Sequence, residues 1–549
     1  MGLVFGLCGW DAQRADVTML RIFEIKLPLD HTHDDLVRAI ADSLRVPARD
    51  LLSWEIRRQA IDARKKTTIR LIYTVDVSLR YEEQLVSKVL GHHVIPTPDE
   101  SYRPAKSGSE MLEHRPVVVG SGPAGLFAGL ILAQAGYQPV ILERGKAVEE
   151  RCRDVERFWQ EGVLNPESNA QFGEGGAGTF SDGKLSTLIN DLRCRKVLEE
   201  LASAGAPPAI LVSNKPHIGT DQLRVVVRTI RELIIRLGGK VHFLNRVTGL
   251  HVRDGRLCGL EINDADVREC EAAVFAIGHS SRDTFTMLLK NGLNMIPKPF
   301  SVGMRVEHPQ RLIDHVQYGA FAGHRRVGPA DYKLAYHAPD GRSAYTFCMC
   351  PGGEVIAAAS EPGGIVTNGM SLQVRSGLNA NSALLVNVGP ADFFDDHPLA
   401  GFRFQREWES LAFRLAGETY AAPVQLLSDF LRGRFSTQLG HVAATYRPTV
   451  VLADLQNALP SYVCDTIKQA IPAFARRLKG FDLPDAVLTG VETRSSCPVR
   501  LVRGKDFQTS ISGLYPAGEG GGYAGGIMSS AVDGIKVAEA IIARFSPPW

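Results

Sequence analysis

The segment that most constrains this chain is Val117-Val-Val-Gly-Ser-Gly-Pro-Ala-Gly-Leu-Phe-Ala-Gly-Leu-Ile-Leu-Ala-Gln-Ala-Gly-Tyr137, followed by Pro139-Val-Ile-Leu-Glu143. An apolar β-type run ends in a glycine-rich turn, a small-residue helix follows, and a second strand ends in an acid. That order describes a dinucleotide-binding βαβ unit. Gly120 permits the tight turn, Gly122 lets the backbone approach a pyrophosphate, and Gly125 lets helix and strand pack closely. Pro123 and Ala124 open the helix, whose unpaired N–H groups and dipole favour negative charge. Glu143, with Arg144 beside it, lies 18 residues beyond Gly125, near the spacing of an acid that accepts hydrogen bonds from ribose hydroxyls.

The same stretch is long and apolar enough to suggest a membrane span. Three glycines in six residues and Pro123 argue against one, and a strand–turn–helix accounts for the same hydropathy. No membrane span is expected.

At 549 residues the chain is long enough for three or four units at roughly 150 residues each. Its net charge of +2 carries no global polyanion-binding signature. The nine cysteines include no Cys-x-x-Cys and no regular framework, so reduced thiols and a cytoplasmic location are expected. Residues 1–10 are apolar but lack a basic lead, and they are not read as a signal peptide.

The expected fold class is α/β: a Rossmann-type dinucleotide-binding domain with an inserted α+β substrate domain and a small N-terminal α/β domain. Residues 1–18 read as an extension. Residues 19–95 read as the accessory domain, with strands at 19–27, 52–58 and 67–79 and helices at 33–44 and 80–90. A ferredoxin-like arrangement is one reading of that order. Polar residues 96–114 form a linker. The first part of the dinucleotide-binding domain is expected at 115–295, the insertion at 296–488 and the C-terminal part at 489–549. Within the first part, Arg253-Asp-Gly-Arg256 marks a hairpin turn between two strands.

The C-terminus narrows the cofactor. Gly513-Leu-Tyr-Pro-Ala-Gly518-Glu519 reads as a strand delivering an acid at a tight turn, and glycines including Gly525 and Gly526 precede a helix from Ile527. Together with the first fingerprint, this resembles the two-part signature of flavoproteins with a glutathione-reductase-like FAD domain. The resemblance implies FAD, with the acid on a ribityl hydroxyl and the helix start facing the flavin pyrimidine edge. That superfamily usually has Asp where this chain has Glu519. Val247 and Gly278 occupy positions that the resemblance places near adenine and beneath the cofactor.

Longer motifs narrow the resemblance further. Gln171-Phe-Gly-Glu-Gly-Gly-Ala-Gly-Thr-Phe-Ser-Asp-Gly-Lys-Leu185, Ile277-Gly-His-Ser-Ser-Arg-Asp283, Phe300-Ser-Val-Gly-Met-Arg-Val-Glu-His-Pro309 and Phe347-Cys-Met-Cys-Pro-Gly-Gly353 are similar to a largely uncharacterised bacterial family of FAD-dependent dehydrogenases. Ala60-Ile-Asp-Ala-Arg-Lys-Lys66 and Tyr73-Thr-Val-Asp-Val77 resemble that family's N-terminal module. The family carries no firm substrate.

Hydride chemistry in such a protein belongs mostly to the flavin. In the loop 173–184, Gly176 and its neighbouring glycines are expected to line the cofactor, with Ser181, Asp182 and Lys184 reaching the pyrophosphate or flavin edge. Cys348 and Cys350 are read either as a redox pair facing the flavin or as two buried thiols on one strand face. His279, Arg305, Glu307 and His308 are candidate substrate contacts, as are Arg494 and Ser495. No His or Cys lies inside the two cofactor motifs, so FAD is expected to be non-covalent. No metal site is expected, and no hydrolase elbow or metalloprotease helix occurs.

The leading functional expectation is therefore an FAD-dependent oxidoreductase with an unknown small-molecule substrate and transient NAD(P)H. Arg57, Arg58, Arg64, Lys65, Lys66 and Arg70 form a basic cluster that suits either an aggregation-resistant edge or an acidic protein or RNA partner. The alternatives are a structural or regulatory FAD beside that module, and a flavin-dependent RNA-modifying enzyme.

Overall fold

A computed structural model describes residues 19–80 and 91–548 of the chain. The expected extension over 1–18, and the helix expected over 80–90 apart from Arg80, lie outside the described residues.

Contact density divides the chain into two compact units, the first comprising residues up to Glu100 together with Leu211–Asn214. Its antiparallel sheet orders the strands Leu51–Asp62, Arg70–Leu79, Leu20–Pro28 and Val94–Pro96. The helix His33–Leu44 buries Leu36, Ile40, Ala41 and Leu44 and begins with a capping box between Thr32 and Asp35. The unit extends past the expected boundary at 95 because Glu100 accepts hydrogen bonds from Arg21 and Arg57. Leu211–Asn214 joins it through backbone bonds with Gln59 of 2.7 and 2.9 Å. Three members of the basic cluster have partners: Arg57 pairs with Glu55, Asp76 and Glu100, Arg58 with Asn214, and Arg64 with Asp62.

The second unit is Ser101–Ile210 with Lys215–Trp549. A parallel five-stranded sheet orders Leu514–Pro516, Ala273–Phe275, Val117–Val119, Val140–Leu142 and Lys240–His242. The first four strands are apolar throughout, as a sheet covered on both faces requires. One face packs, through residues such as Val119, Leu142 and Phe275, with Leu257 and Leu260 of a three-stranded sheet. That sheet contains the hairpin Val247–Arg253/Arg256–Ile262, and Asp254 and Gly255 both take positive φ (51° and 73°) in its turn. The other face carries helices Pro123–Gln134, Thr220–Arg236 and Ile527–Arg544. The first and last of these touch backbone to backbone: a methyl on Gly534 would lie 2.1 Å from the Ala124 carbonyl oxygen.

A seven-stranded sheet orders Ala335–His337, Ser343–Cys350, Asn379–Val388, Phe300–Pro309, Val487–Glu492, Ala422–Leu426 and Val450–Leu452. Only its last pair is parallel. The expected division at 488 falls inside the strand Val487–Glu492, which pairs with Phe300–Pro309. Among the described residues no helix is long and apolar enough to cross a membrane.

Candidate cofactor site

Two helices begin at one cleft. The strand Val117–Val119 leads through Gly120 (φ +96°) into the helix that Pro123 opens. The strand Leu514–Pro516 leads through Gly518 (φ +68°) toward the helix that Ile527 opens. The two strands flank Ala273–Phe275, so both turns leave the carboxyl edge of the same parallel sheet.

Gly120, Gly122, Pro123, Ala124, Glu143, Arg144, Gly176, Ser181, Lys184, Val247, Gly278, Glu519, Gly525, Gly526 and Ile527 all line this cleft. Gly125 and Gly518, expected at the cofactor, do not line it. They are needed behind the wall: a methyl on Gly125 would sit 1.9 Å from the Gly120 carbonyl oxygen, and one on Gly518 2.6 Å from Ala124 Cβ. Asp533, which the sequence reading missed, ties down the second turn by accepting from Gly518 N at 2.7 Å and from Arg503 at 2.6 and 3.0 Å.

The loop 173–184 forms a third wall. Gly175 N donates to Ser121 O at 2.9 Å, and Gly176 faces Gly122. A methyl on Gly178 would lie 3.1 Å from Ile527 Cγ1, so this loop reaches the start of the second helix as well. The polar side chains of Ser181, Asp182 and Lys184 line the cleft and at the same time bond to other parts of the protein. Ser181 Oγ donates to Gly178 O at 2.7 Å, and Asp182 accepts from Arg375 at 2.6 and 3.0 Å. Lys184 Nζ donates to Met349 O.

Glu143 also departs from expectation. Its Oε2 accepts from Ser121 N (2.8 Å) and Ser121 Oγ (2.7 Å), and its Oε1 from Gly145 N (2.9 Å) and Gly173 N (3.0 Å). Four donors fill the carboxylate, so it fastens the two glycine loops together instead of presenting lone pairs to a ribose. Arg144 is held by Glu167 and Asp283 and lies over the Phe172 ring, 4.1 Å from its centroid.

Glu519 contrasts with Glu143. It lines the cleft, its carboxylate makes no hydrogen bond to any described residue, and burial pushes its carboxyl up to about 7 against the pull of Lys298. An acid facing an open cleft without a partner suits a hydroxyl-bearing ligand. The glycines agree. A methyl on Gly122 would meet only Gly176 Cα, at 3.7 Å, and methyls on Gly525 and Gly526 would meet nothing within 4 Å. The protein itself leaves room for side chains at all three positions, so the ligand accounts for their absence. The residues fit FAD.

The candidate chemical groups are mostly committed. Arg494 lines the cleft, but it pairs with Glu409 at 2.8 and 3.0 Å and donates to Ser280 and Ser360. Arg282 shares Glu409, making a buried cluster of two guanidinium groups around one carboxylate. Beside it, burial and these two arginines hold His279 down at about 3, so the ring is neutral at ordinary pH. Arg305, Glu307 and His308, expected at the substrate, are fully buried inside the seven-stranded sheet. Arg305 binds Glu492 at 2.6 and 3.1 Å, Glu307 accepts from Asn379 and Thr445, and His308 bonds to Phe481 O.

Cys348 and Cys350 both line the cleft and both are free thiols. The strand bulges between Phe347 and Cys350, and Cys348 takes φ +40°, so simple alternation of faces does not hold there. Cys348 opens onto the cleft while Cys350 is buried and directs its thiol at Cys348 O. Enclosure by protein pushes the thiols up to about 12 and about 11 respectively, and both are protonated at neutral pH. Phe347, Asn368 and Glu492 also line the cleft, although periodicity alone gave them no functional signal.

Residues 114–154 match the FAD binding domain model, and residues 299–495 match that of an FAD-dependent protein C-terminal domain. Residues 19–78 match a domain of unknown function. An uncharacterised protein of Clostridium beijerinckii is 48% identical over 531 residues, covering 96% of this chain and 99% of that one. Among solved structures, the flavin-dependent brominase Bmp2 is similar at 12% identity and TM-score 0.35, covering 78% of each chain. Glycine oxidase from Bacillus cereus is similar at 10% identity and TM-score 0.33, covering 78% of this chain and 95% of that one. CtdE in complex with FAD is similar at 11% identity and TM-score 0.30, covering 77% and 82%. The cofactor is FAD, and this chain belongs with the Clostridium beijerinckii protein to one uncharacterised FAD-dependent family.

Proposed function

We propose that this protein is an oxidoreductase that passes a hydride between a small-molecule substrate and non-covalently held FAD. The observation that carries the reading is the convergence of two glycine-lined helix starts and the unpartnered Glu519 on one cleft. When bound, FAD supplies hydride acceptance and release. The chain's own groups bind, orient and tune. The first-turn N–H groups of the helix from Pro123 suit a pyrophosphate, and those of the helix from Ile527 favour negative charge at a ring placed before them. Glu519 holds or yields a proton near neutrality at the same end.

Several finer readings belong to the same proposal. The paired glycine turns support a Rossmann-type, glutathione-reductase-like FAD domain. The strand order of the first unit, with its first and last strands adjacent, supports a ferredoxin-like module. Eight free cysteines among the described residues support a reducing, cytoplasmic setting. The upward shift of the thiols at 348 and 350 supports a transfer that runs without them.

The test is anaerobic mixing of FAD-loaded protein with NADH and then NADPH while the flavin absorbance is followed. Bleaching by either identifies a nicotinamide donor, and bleaching by neither assigns reduction to the substrate itself. A chemically reduced holoprotein that neither dioxygen nor a quinone reoxidises contradicts the enzymatic reading.

A further inference from the structure

Resting on that reading, we infer that a side chamber beside the C-terminal helix start binds a neutral, planar aromatic substrate. The chamber shares Phe347, Ser495 and Gly525 with the cofactor cleft, so the two communicate where Gly525 leaves space. Its own walls come from Phe300, Tyr345 and Asn387.

The aromatic walls are fixed. Phe300 is packed against Phe393 and Phe404 at centroid distances of 5.7 and 6.1 Å, and Tyr345 and Phe347 meet edge to face at 6.3 Å. Phe300 is buried within the wall, while the half-buried Tyr345 and Phe347 offer apolar ring surface with little ordering cost, which suits a ring-shaped guest.

Several polar groups of the chamber are matched within the protein. Tyr345 Oη donates to Ser301 Oγ at 2.8 Å, and Ser495 Oγ donates to Ser301 O at 2.6 Å while accepting from Ser301 N at 3.0 Å. Asn387 Oδ1 accepts from Ser343 N at 2.6 Å. No charged side chain is among the described residues lining the chamber. In the adjoining cleft Arg494 is committed to Glu409, and Lys184 donates to Met349 O. A carboxylate or sulfonate here would lose water without gaining an ion-pair partner. Substrate selection therefore favours uncharged rings over acids.

Calorimetric titration of the FAD-loaded protein with menadione, and with a sulfonated naphthoquinone, reads the preference directly. Menadione is expected to bind about tenfold tighter than the sulfonate. Tyr345→Ala is expected to weaken menadione about tenfold with FAD content unchanged. Asn387→Asp keeps the acceptor for Ser343 N and adds a charge at the exposed rim, and is expected to weaken it by only about twofold. Equal or tighter binding of the sulfonate, or unchanged menadione affinity in both variants, overturns the inference. FAD content measured on the same samples separates this result from failure of the proposed function, which a flavin-free protein would contradict.

Discussion

Gly122 and Gly176 meet backbone to backbone on the wall of the cofactor cleft: a methyl on Gly122 would stand 3.7 Å from Gly176 Cα, and one on Gly176 3.0 Å from Gly122 Cα. Gly122 itself has an ordinary φ of −72°, so neither backbone nor neighbours demand glycine there. Gly122→Val is expected to fold and to emerge colourless after reconstitution with FAD. Gly125→Val, whose Cβ would lie 1.9 Å from a carbonyl oxygen, is expected to lose the fold as well. Circular dichroism and visible absorbance separate the two outcomes, and full FAD retention by Gly122→Val contradicts the placement of the site.

Glu143 fastens two glycine loops with both its oxygens. Glu143→Gln puts an amide N–H₂ against two donor groups and is expected to cost about 2–4 kcal/mol of unfolding free energy. Chemical denaturation of the FAD-free protein measures this. An unchanged midpoint would mean that the loops do not depend on the carboxylate.

Glu519 is expected to make FAD binding sensitive to pH. A hydroxyl donor favours the ionised carboxylate, whose value in the FAD-free protein is about 7, so affinity should rise with pH up to neutrality and level off above. The same group works the other way on stability. Its folded value lies above the usual 4.5, so the folded protein keeps a proton that the unfolded chain has lost, and stability falls as pH rises from 4.5 to about 7. Glu519→Gln is expected to remove both dependences. Fluorescence titration with FAD across this range, with wild type and variant alike, shows whether it does.

Cys348 opens onto the cleft as a protonated thiol. Cys348→Ser is expected to keep turnover within about twofold once a substrate is in hand, because a thiol with a value near 12 supplies almost no thiolate at neutral pH. A fall of more than about tenfold would restore a thiol step to the mechanism.

The parts of the site that came from local backbone chemistry were legible in the sequence. The glycine turns at 120–125 and 518–526, the helix from Ile527 and the Asp254-Gly255 hairpin follow from which residues tolerate positive φ or close approach. What side chains do after folding was not legible. Glu143 has the spacing of a ribose ligand, yet the loop at 173, remote in sequence, claims one of its lone pairs. Ser181, Asp182 and Arg494 meet partners 3 to 193 positions away, and no local period announces such meetings. The two-residue spacing of Cys348 and Cys350 implied one shared face, and the bulge between Phe347 and Cys350 removed that symmetry. Arg305, Glu307 and His308 read as candidate substrate contacts near the flavin. They are instead buried in a large sheet, Arg305 and Glu307 matched by polar partners and His308 bonded through Nε2 alone.

The central claim is that both ends of the second unit build one FAD cradle. Gently purified protein should be mixed with excess FAD, desalted and assayed for flavin per chain before and after denaturation. The account predicts one flavin per chain, released intact when the protein unfolds. A folded protein that neither carries nor takes up flavin contradicts it.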